Sequence, residues 1–245
     1  MGVSLPVVLV PGLVCDAAVW DHARQALGAG ANVRVADHGS LDSLASMADK
    51  VLREAPPRFA LAGHSMGGRV ALEVWRRAPE RVAALALLDT GVTALAAGEP
   101  GERETAGRYE LLDIARTRGM AAMAARWVQG MLWKPRLDDA ALVTQVVDMM
   151  ARSNADVFAA QIRALLGRPD ASALLPAIRC PTLVLCGEED SWAPAARHTD
   201  MAAQISGAAL VLVPQCGHMC TLERPEAVTR ALLEWHSTAR TSCCC

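Results

Sequence analysis

The chain has almost no net charge. Among its 245 residues, 24 Lys and Arg stand against 26 Asp and Glu, a formal −2. That balance leaves no electrostatic footprint for nucleic acid. Long apolar runs are missing too: none approaches the roughly 18 residues of a membrane span, so no membrane association is expected. The opening Met1-Gly2-Val3-Ser4-Leu5-Pro6 lacks the basic stretch of a secretory signal. Pro6 stands where a myristoylation site needs Ser or Thr. A cytoplasmic protein is expected. There is no internal repeat and no low-complexity linker. The eight cysteines lack paired zinc spacing. Cys15, Cys180, Cys186, Cys216 and Cys220 read as small apolar residues of a reduced protein, although Cys216 and Cys220 bracket His218. Cys243-Cys244-Cys245 is no prenylation box, because Ser242 holds the fourth place from the end. Residues 241–245 read as a disordered tail.

What is present is alternation. A continuous apolar run at 6–10 reads as a strand buried on both faces, and 32–36, 58–62, 82–88, 182–186 and 208–213 read as further strands. Helical periodicity fills 17–27, with Asp16 as its N-cap, and 43–54, where Leu44, Met47, Ala48 and Val51 share one face. It returns at 69–75, 195–204 and 225–236. Strand-helix alternation implies a mostly parallel sheet with helices on both faces. The middle breaks the pattern: 102–117, 120–132, 138–151 and 156–166 are helical only. We therefore expect a core over 1–97 and 175–240, with a helical cap over 98–174.

Between the third strand and the next helix lies Gly63-His64-Ser65-Met66-Gly67-Gly68. A serine between glycines at a strand-to-helix turn is lifted above the sheet edge, beside free helix N–H groups. Ser65 is the expected nucleophile, and it needs a base. His22, His38, His198 and His236 sit in helices or after other strands, and His64 points away from an elbow of this kind. His218, in Gln215-Cys216-Gly217-His218-Met219, follows the last strand and emerges at the sheet edge that carries Ser65. Asp190, after the preceding strand in Gly187-Glu188-Glu189-Asp190, would orient it; Asp89, after the fourth strand, competes for that role. Glu188 and Glu189 read as solvated neighbours. Backbone N–H groups of Met66 and Leu13 would form the oxyanion hole.

These residues resemble the α/β-hydrolase superfamily with a helical cap. The resemblance rests, in chain order, on the Val-Pro-Gly-Leu turn, the Gly-His-Ser-Met-Gly-Gly elbow, the Gly-Glu-Glu-Asp loop and the Gly-His-Met loop. It implies the α/β-hydrolase fold and a Ser65–His218–Asp190 triad. The family's usual His-Gly at the oxyanion turn is Pro11-Gly12 here, a change that leaves the backbone donor intact. Ser at the nucleophile position argues against the dehalogenase and epoxide-hydrolase branches, which use Asp.

Three functions follow. The first is a hydrolase for carboxylic esters or thioesters of small to medium acyl groups, working through an acyl-enzyme. The second is a lyase or carbon-carbon hydrolase acting on an anionic metabolite. Ser-Met-Gly-Gly-Arg resembles the elbow of the menaquinone-pathway synthase (SHCHC synthase), where the matching Arg69 would bind a carboxylate; alternatively Arg69 pairs with Glu73, four residues on. The third is a ligand receptor without catalysis. Trp127 and Trp133 are expected to wall the substrate site, while most of Met123, Met131, Met149 and Met150 would be cap core. The expected partner is a small-molecule substrate, with no metal and no organic cofactor.

Overall fold

The computed structural model describes residues 5–242. The expectations for the first four residues and for Cys243–Cys245 lie outside them. Six parallel strands form one sheet in the order β2-β1-β3-β4-β5-β6. They are β1 (Val7–Val10), β2 (Val33–Val35), β3 (Phe59–His64), β4 (Val82–Leu88), β5 (Thr182–Gly187) and β6 (Ala209–Val213). The four central strands are buried along their whole length. That is why they read as unbroken apolar runs rather than as alternating ones. The first strand begins at Val7 because Pro6 has no N–H to give the ladder. The edge strand β6 is largely exposed at its start.

Helices α1 (Asp21–Gly28) and α10 (Pro225–Ser242) pack on each other, as do α2 (Leu44–Glu54) and α3 (Met66–Arg77). Leu44, Met47, Ala48 and Val51 are buried on α2, as their spacing requires. Ser43 caps that helix, accepting the N–H of Ser46 at 3.1 Å. Residues 17–27 do not form one helix: a 3₁₀ turn over Ala17–Trp20 precedes α1. The closing helix continues through Ser242, so 241 and 242 belong to α10 rather than to a tail.

The α-helices between β4 and β5 are α4 (Glu99–Arg118), α5 (Met120–Trp127), α6 (Ala140–Ala151) and α7 (Ala155–Leu166). Gly119, at φ 88°, separates α4 from α5, and Asn154 caps α7 by accepting two N–H groups. The first inserted helix starts three residues before the sequence pattern, and the second ends at Trp127, with a 3₁₀ turn over Val128–Gly130. Two further helices, α8 (Ala195–Gln204) and α9 (Cys220–Glu223), flank β6. Among the described residues no helix is long and apolar enough to cross a membrane.

Candidate active site

The elbow shows why it needs its glycines. Ser65 sits at φ 55°, ψ −117°, a conformation that L-residues avoid. A Cβ on Gly63 would lie 2.2 Å from Gly67 O, and one on Gly67 would lie 2.1 Å from Val10 O. The backbone turns so tightly there that no side chain fits. The turn is pinned by Ser65 N–H donating to Leu88 O at 2.9 Å and by Thr90 Oγ1 donating to Ser65 O at 2.7 Å.

His218 Nε2 lies 2.8 Å from Ser65 Oγ, and His218 Nδ1 lies 2.8 Å from Asp190 Oδ2. The other Asp190 oxygen accepts the N–H groups of Trp192 at 2.8 Å and Ala193 at 3.0 Å. Burial alone would push the imidazole down. The charge of Asp190 and the hydrogen bond to it outweigh burial and hold His218 above its ordinary value. Burial likewise opposes ionisation of Asp190, but His218 and the two backbone donors keep that carboxyl below the usual range. The loops carrying acid and base are interlocked. Glu189 N–H donates to Cys216 O at 3.0 Å, and Cys216 N–H donates to Glu189 Oε2 at 2.8 Å. Glu188 and Glu189 are both exposed, as expected of solvated neighbours, and Glu189 also brackets the two loops.

Asp89 takes a different part. It is fully buried; one oxygen accepts Gly187 N–H at 3.0 Å and the other accepts Cys220 N–H at 3.3 Å. It also lies 3.5 Å from His64 Nε2, which reaches His218 O at 2.8 Å. Asp89 and His64 thus hold the backbone around the acid and base loops. The remaining histidines have packing partners or lie buried. His198 accepts Thr90 N–H at 3.0 Å, and burial lowers its pKa.

The triad opens into a cavity of about 580 Å³. Leu13 and Met66 both line it, and a Cβ on Gly12 would stand 3.3 Å from Ser65 Cβ, so the turn after β1 abuts the serine. Part of the wall is apolar, with Leu111, Trp127, Met131, Phe158, Leu165 and Trp192. Another part is cationic: Arg69, Arg103, Arg108, Arg168 and Arg197 line it together with Glu104. Arg168 Nη1 and Nη2 donate to the two Glu104 oxygens at 2.7 and 2.8 Å, and Arg108 donates to Glu104 Oε1 at 2.8 Å. Glu104 is half-shielded, and the arginines overcome its desolvation to lower it to about 2.

The Alpha/beta hydrolase family model matches residues 7–231. The chain belongs to the alpha/beta hydrolase family. The pimeloyl-[acyl-carrier protein] methyl ester esterase of Nitrosomonas europaea is 27% identical over 245 residues, covering 89% of this chain and 90% of that protein. The 2-succinyl-6-hydroxy-2,4-cyclohexadiene-1-carboxylate synthase of Escherichia coli is 29% identical over 188 residues, 73% of this chain and 68% of that one. The solved malate-bound esterase of Thermogutta terrifontis superposes with a TM-score of 0.85 at 27% identity, over 98% of this chain and 92% of that one.

Two expectations for this alpha/beta hydrolase need correction. Arg69 does not pair with Glu73, because Arg77 and Arg76 take that carboxylate at 2.9 and 3.1 Å. Arg69 turns to the cavity instead and donates to Thr93 O at 2.8 Å. Burial, and then the charge of Arg168, lower it to about 9. Trp133 is not a cavity wall; its main-chain N–H donates to Glu223 Oε2 at 2.9 Å. Met131 lines the cavity, whereas Met123, Met149 and Met150 are buried in the core.

Three contributors escaped the sequence reading of the hydrolase. Trp192 stacks on Trp127, with centroids 5.6 Å apart and planes at 26°, and its ring lies 5.0 Å from that of His218. Its place two residues after the expected acid was the available signal. Glu223 Oε1 accepts Gly217 N–H and Met219 N–H at 3.0 and 3.2 Å, bracketing His218. His218 N–H itself donates to Met131 O at 2.7 Å, tying the base to the inserted segment. Gln161 accepts Val14 N–H at 2.8 Å, 147 residues away. Among the described residues no group of three His, Cys, Asp or Glu is placed to hold a metal ion.

Proposed function

We propose that this alpha/beta hydrolase cleaves a carboxylic ester or thioester of small to medium acyl group through an acyl-enzyme on Ser65. The observation that carries the reading is the unbroken Ser65–His218–Asp190 chain, with both hydrogen bonds at 2.8 Å. His218 Nε2 takes the Oγ proton as Ser65 attacks the carbonyl carbon. The Leu13 and Met66 N–H groups receive the resulting oxyanion. Collapse expels the leaving alcohol or thiol, which takes the proton from His218. Water, deprotonated by the same nitrogen, then attacks the acyl-enzyme and releases the acid. Asp190 stays ionised throughout and holds the imidazole tautomer. We assign residues 1–97 and 175–240 to the catalytic core and 98–174 to a cap that roofs the cavity. Trp127 and Trp192 would contact the acyl group. A cytoplasmic setting fits the five described cysteines, which are free thiols.

A second reading, elimination or carbon-carbon cleavage on an anionic metabolite, is favoured by the cationic wall. Five arginines line the cavity against the carboxylates of Glu104 and Asp89, which suits a substrate bearing a carboxylate away from the scissile bond. The triad would be retained, with Arg69 as an anion contact. An intact triad argues against a receptor without catalysis, since ligand binding alone does not need a serine, a histidine and an aspartate in line.

The test is turnover of p-nitrophenyl esters of graded acyl length, beside Ser65→Ala. Parent turnover that peaks at one length, with none in the variant, is expected. Full activity in a folded Ser65→Ala protein would overturn the reading.

A further inference from the structure

Gln161 is the buried polar residue in a helix that otherwise buries Phe158, Ala159, Ala160, Ile162, Ala164 and Leu165. A polar side chain in such surroundings is tolerated only when its hydrogen bonds are met. Both ends of this one are met, and both by the core. Oε1 accepts Val14 N–H at 2.8 Å, and Nε2 donates to Gly39 O at 3.0 Å. Val14 is held at φ 49°, a left-handed conformation that a β-branched residue adopts only under constraint. Val14 directly follows Leu13, and the turn that contains both lies against the serine. A second contact holds the same segment from the residue that caps the C-terminus of α6: Arg152 Nε and Nη2 donate to Asp16 at 2.7 and 3.1 Å.

We infer that Gln161 is a positioning residue for the oxyanion hole. The inserted helix α7 clamps Val14 in its strained conformation and thereby aims the Leu13 N–H, one peptide unit upstream, at the developing oxyanion. The inference rests on the serine-hydrolase reading above. It adds that the hole is completed by the inserted helices rather than by the core alone. Removing the amide leaves a buried N–H without an acceptor and frees Val14 to relax toward negative φ, which withdraws the donor.

The experiment uses a fluorophosphonate probe, which needs no knowledge of the natural substrate. Ser65 Oγ attacks phosphorus, fluoride leaves, the proton passes to His218, and the phosphoryl oxygen occupies the same hole. Labelling is followed in the parent, Ser65→Ala, Gln161→Leu and Gln161→Glu. In Gln161→Leu the maximal labelling rate falls about tenfold to a hundredfold while the half-saturating probe concentration stays within twofold. In Gln161→Glu the protonated carboxyl can still accept from Val14 and donate to Gly39 O, whereas the ionised form repels that carbonyl. Its rate relative to the parent at the same pH is therefore near one in acid and falls as pH rises. A purely structural defect gives no such rescue. Parent-like labelling in Gln161→Leu, or a Gln161→Glu ratio that is flat across pH, overturns the clamp. Absence of labelling in the parent, or labelling at an unchanged rate in Ser65→Ala, overturns instead the serine reading on which it rests.

Discussion

Glu223 Oε1 accepts the main-chain N–H of Gly217 at 3.0 Å, one residue before His218. The same carboxylate takes Met219 N–H on the other side of the histidine and Trp133 N–H from the inserted segment. One buried side chain thus fixes the His218 loop and attaches it to the segment between β4 and β5. Burial raises the Glu223 carboxyl, while the three N–H donors oppose that rise.

Glu223→Gln keeps the size but replaces one acceptor oxygen by an NH₂ that faces backbone donors. Loss of a hydrogen bond to a buried charged group costs about 1.5–3 kcal/mol. Chemical denaturation should show destabilisation of that order, with a fall in turnover larger than the population unfolded accounts for. A variant as stable and as active as the parent would show that the bracket is dispensable.

His218 lies above its ordinary value, and only the neutral imidazole can accept the Ser65 proton. The acid limb of kcat/KM should therefore rise through a pH above the ~6.5 of a free histidine. In Asp190→Asn the main source of the upward shift is gone, with only Asp89 and Glu223 left to raise His218, so the limb moves to lower pH, and the rate drops on the order of 10⁴ as the tautomer is lost. The same pair acts on stability with opposite signs. The raised His218 contributes below its unfolded value and is lost as pH rises through its folded one. The depressed Asp190 contributes above its unfolded value and is lost as pH falls through its folded one. An acid limb at or below the free-histidine value in the parent would contradict this.

Arg69 and Glu104 should have opposite effects on acidic substrates. Arg69→Ala should raise KM for a p-nitrophenyl ester bearing a terminal carboxylate about tenfold or more, while a neutral ester of the same length is unaffected. Glu104→Gln removes the carboxylate that Arg108 and Arg168 now hold, and should lower KM for the acidic ester. Equal changes for acidic and neutral esters would remove the case for an anion contact.

Gly67→Ala sets a methyl 2.1 Å from Val10 O, with backbone on both sides of the clash. Neither β1 nor the elbow can yield. We expect insoluble protein, or a loss of several kcal/mol typical of forced overpacking at a strained site. Recovery of a folded, active Gly67→Ala enzyme would mean that the elbow is looser than this geometry allows.

Much of the frame was legible because its signals are local. The run Val82–Leu88 is apolar at every position because the strand is covered on both faces. The Gly63–Gly67 spacing reports a contact only four residues apart. The meeting of Ser65, Asp190 and His218 was legible because each follows a strand, and parallel strands deliver their ends to one edge. What escaped was not local. Gln161 and Glu223 act on main-chain groups, which leave no mark on residue type at the receiving end. The Arg69–Glu73 pairing expected from helical spacing lost to Arg76 and Arg77, which reach the same carboxylate. The turn of α3 that carries Arg69 faces the cavity, a direction that only the packed structure specifies.

The bond from His218 N–H to Met131 O bears on how such enzymes diversify. Exchanging the inserted helices between relatives looks like a way to change what is recognised while keeping the chemistry. In this protein the exchange would also remove the carbonyl that seats His218. A chimera that inherits foreign helices has to inherit that anchoring carbonyl with them, or rebuild it, before any new specificity can be expressed as turnover.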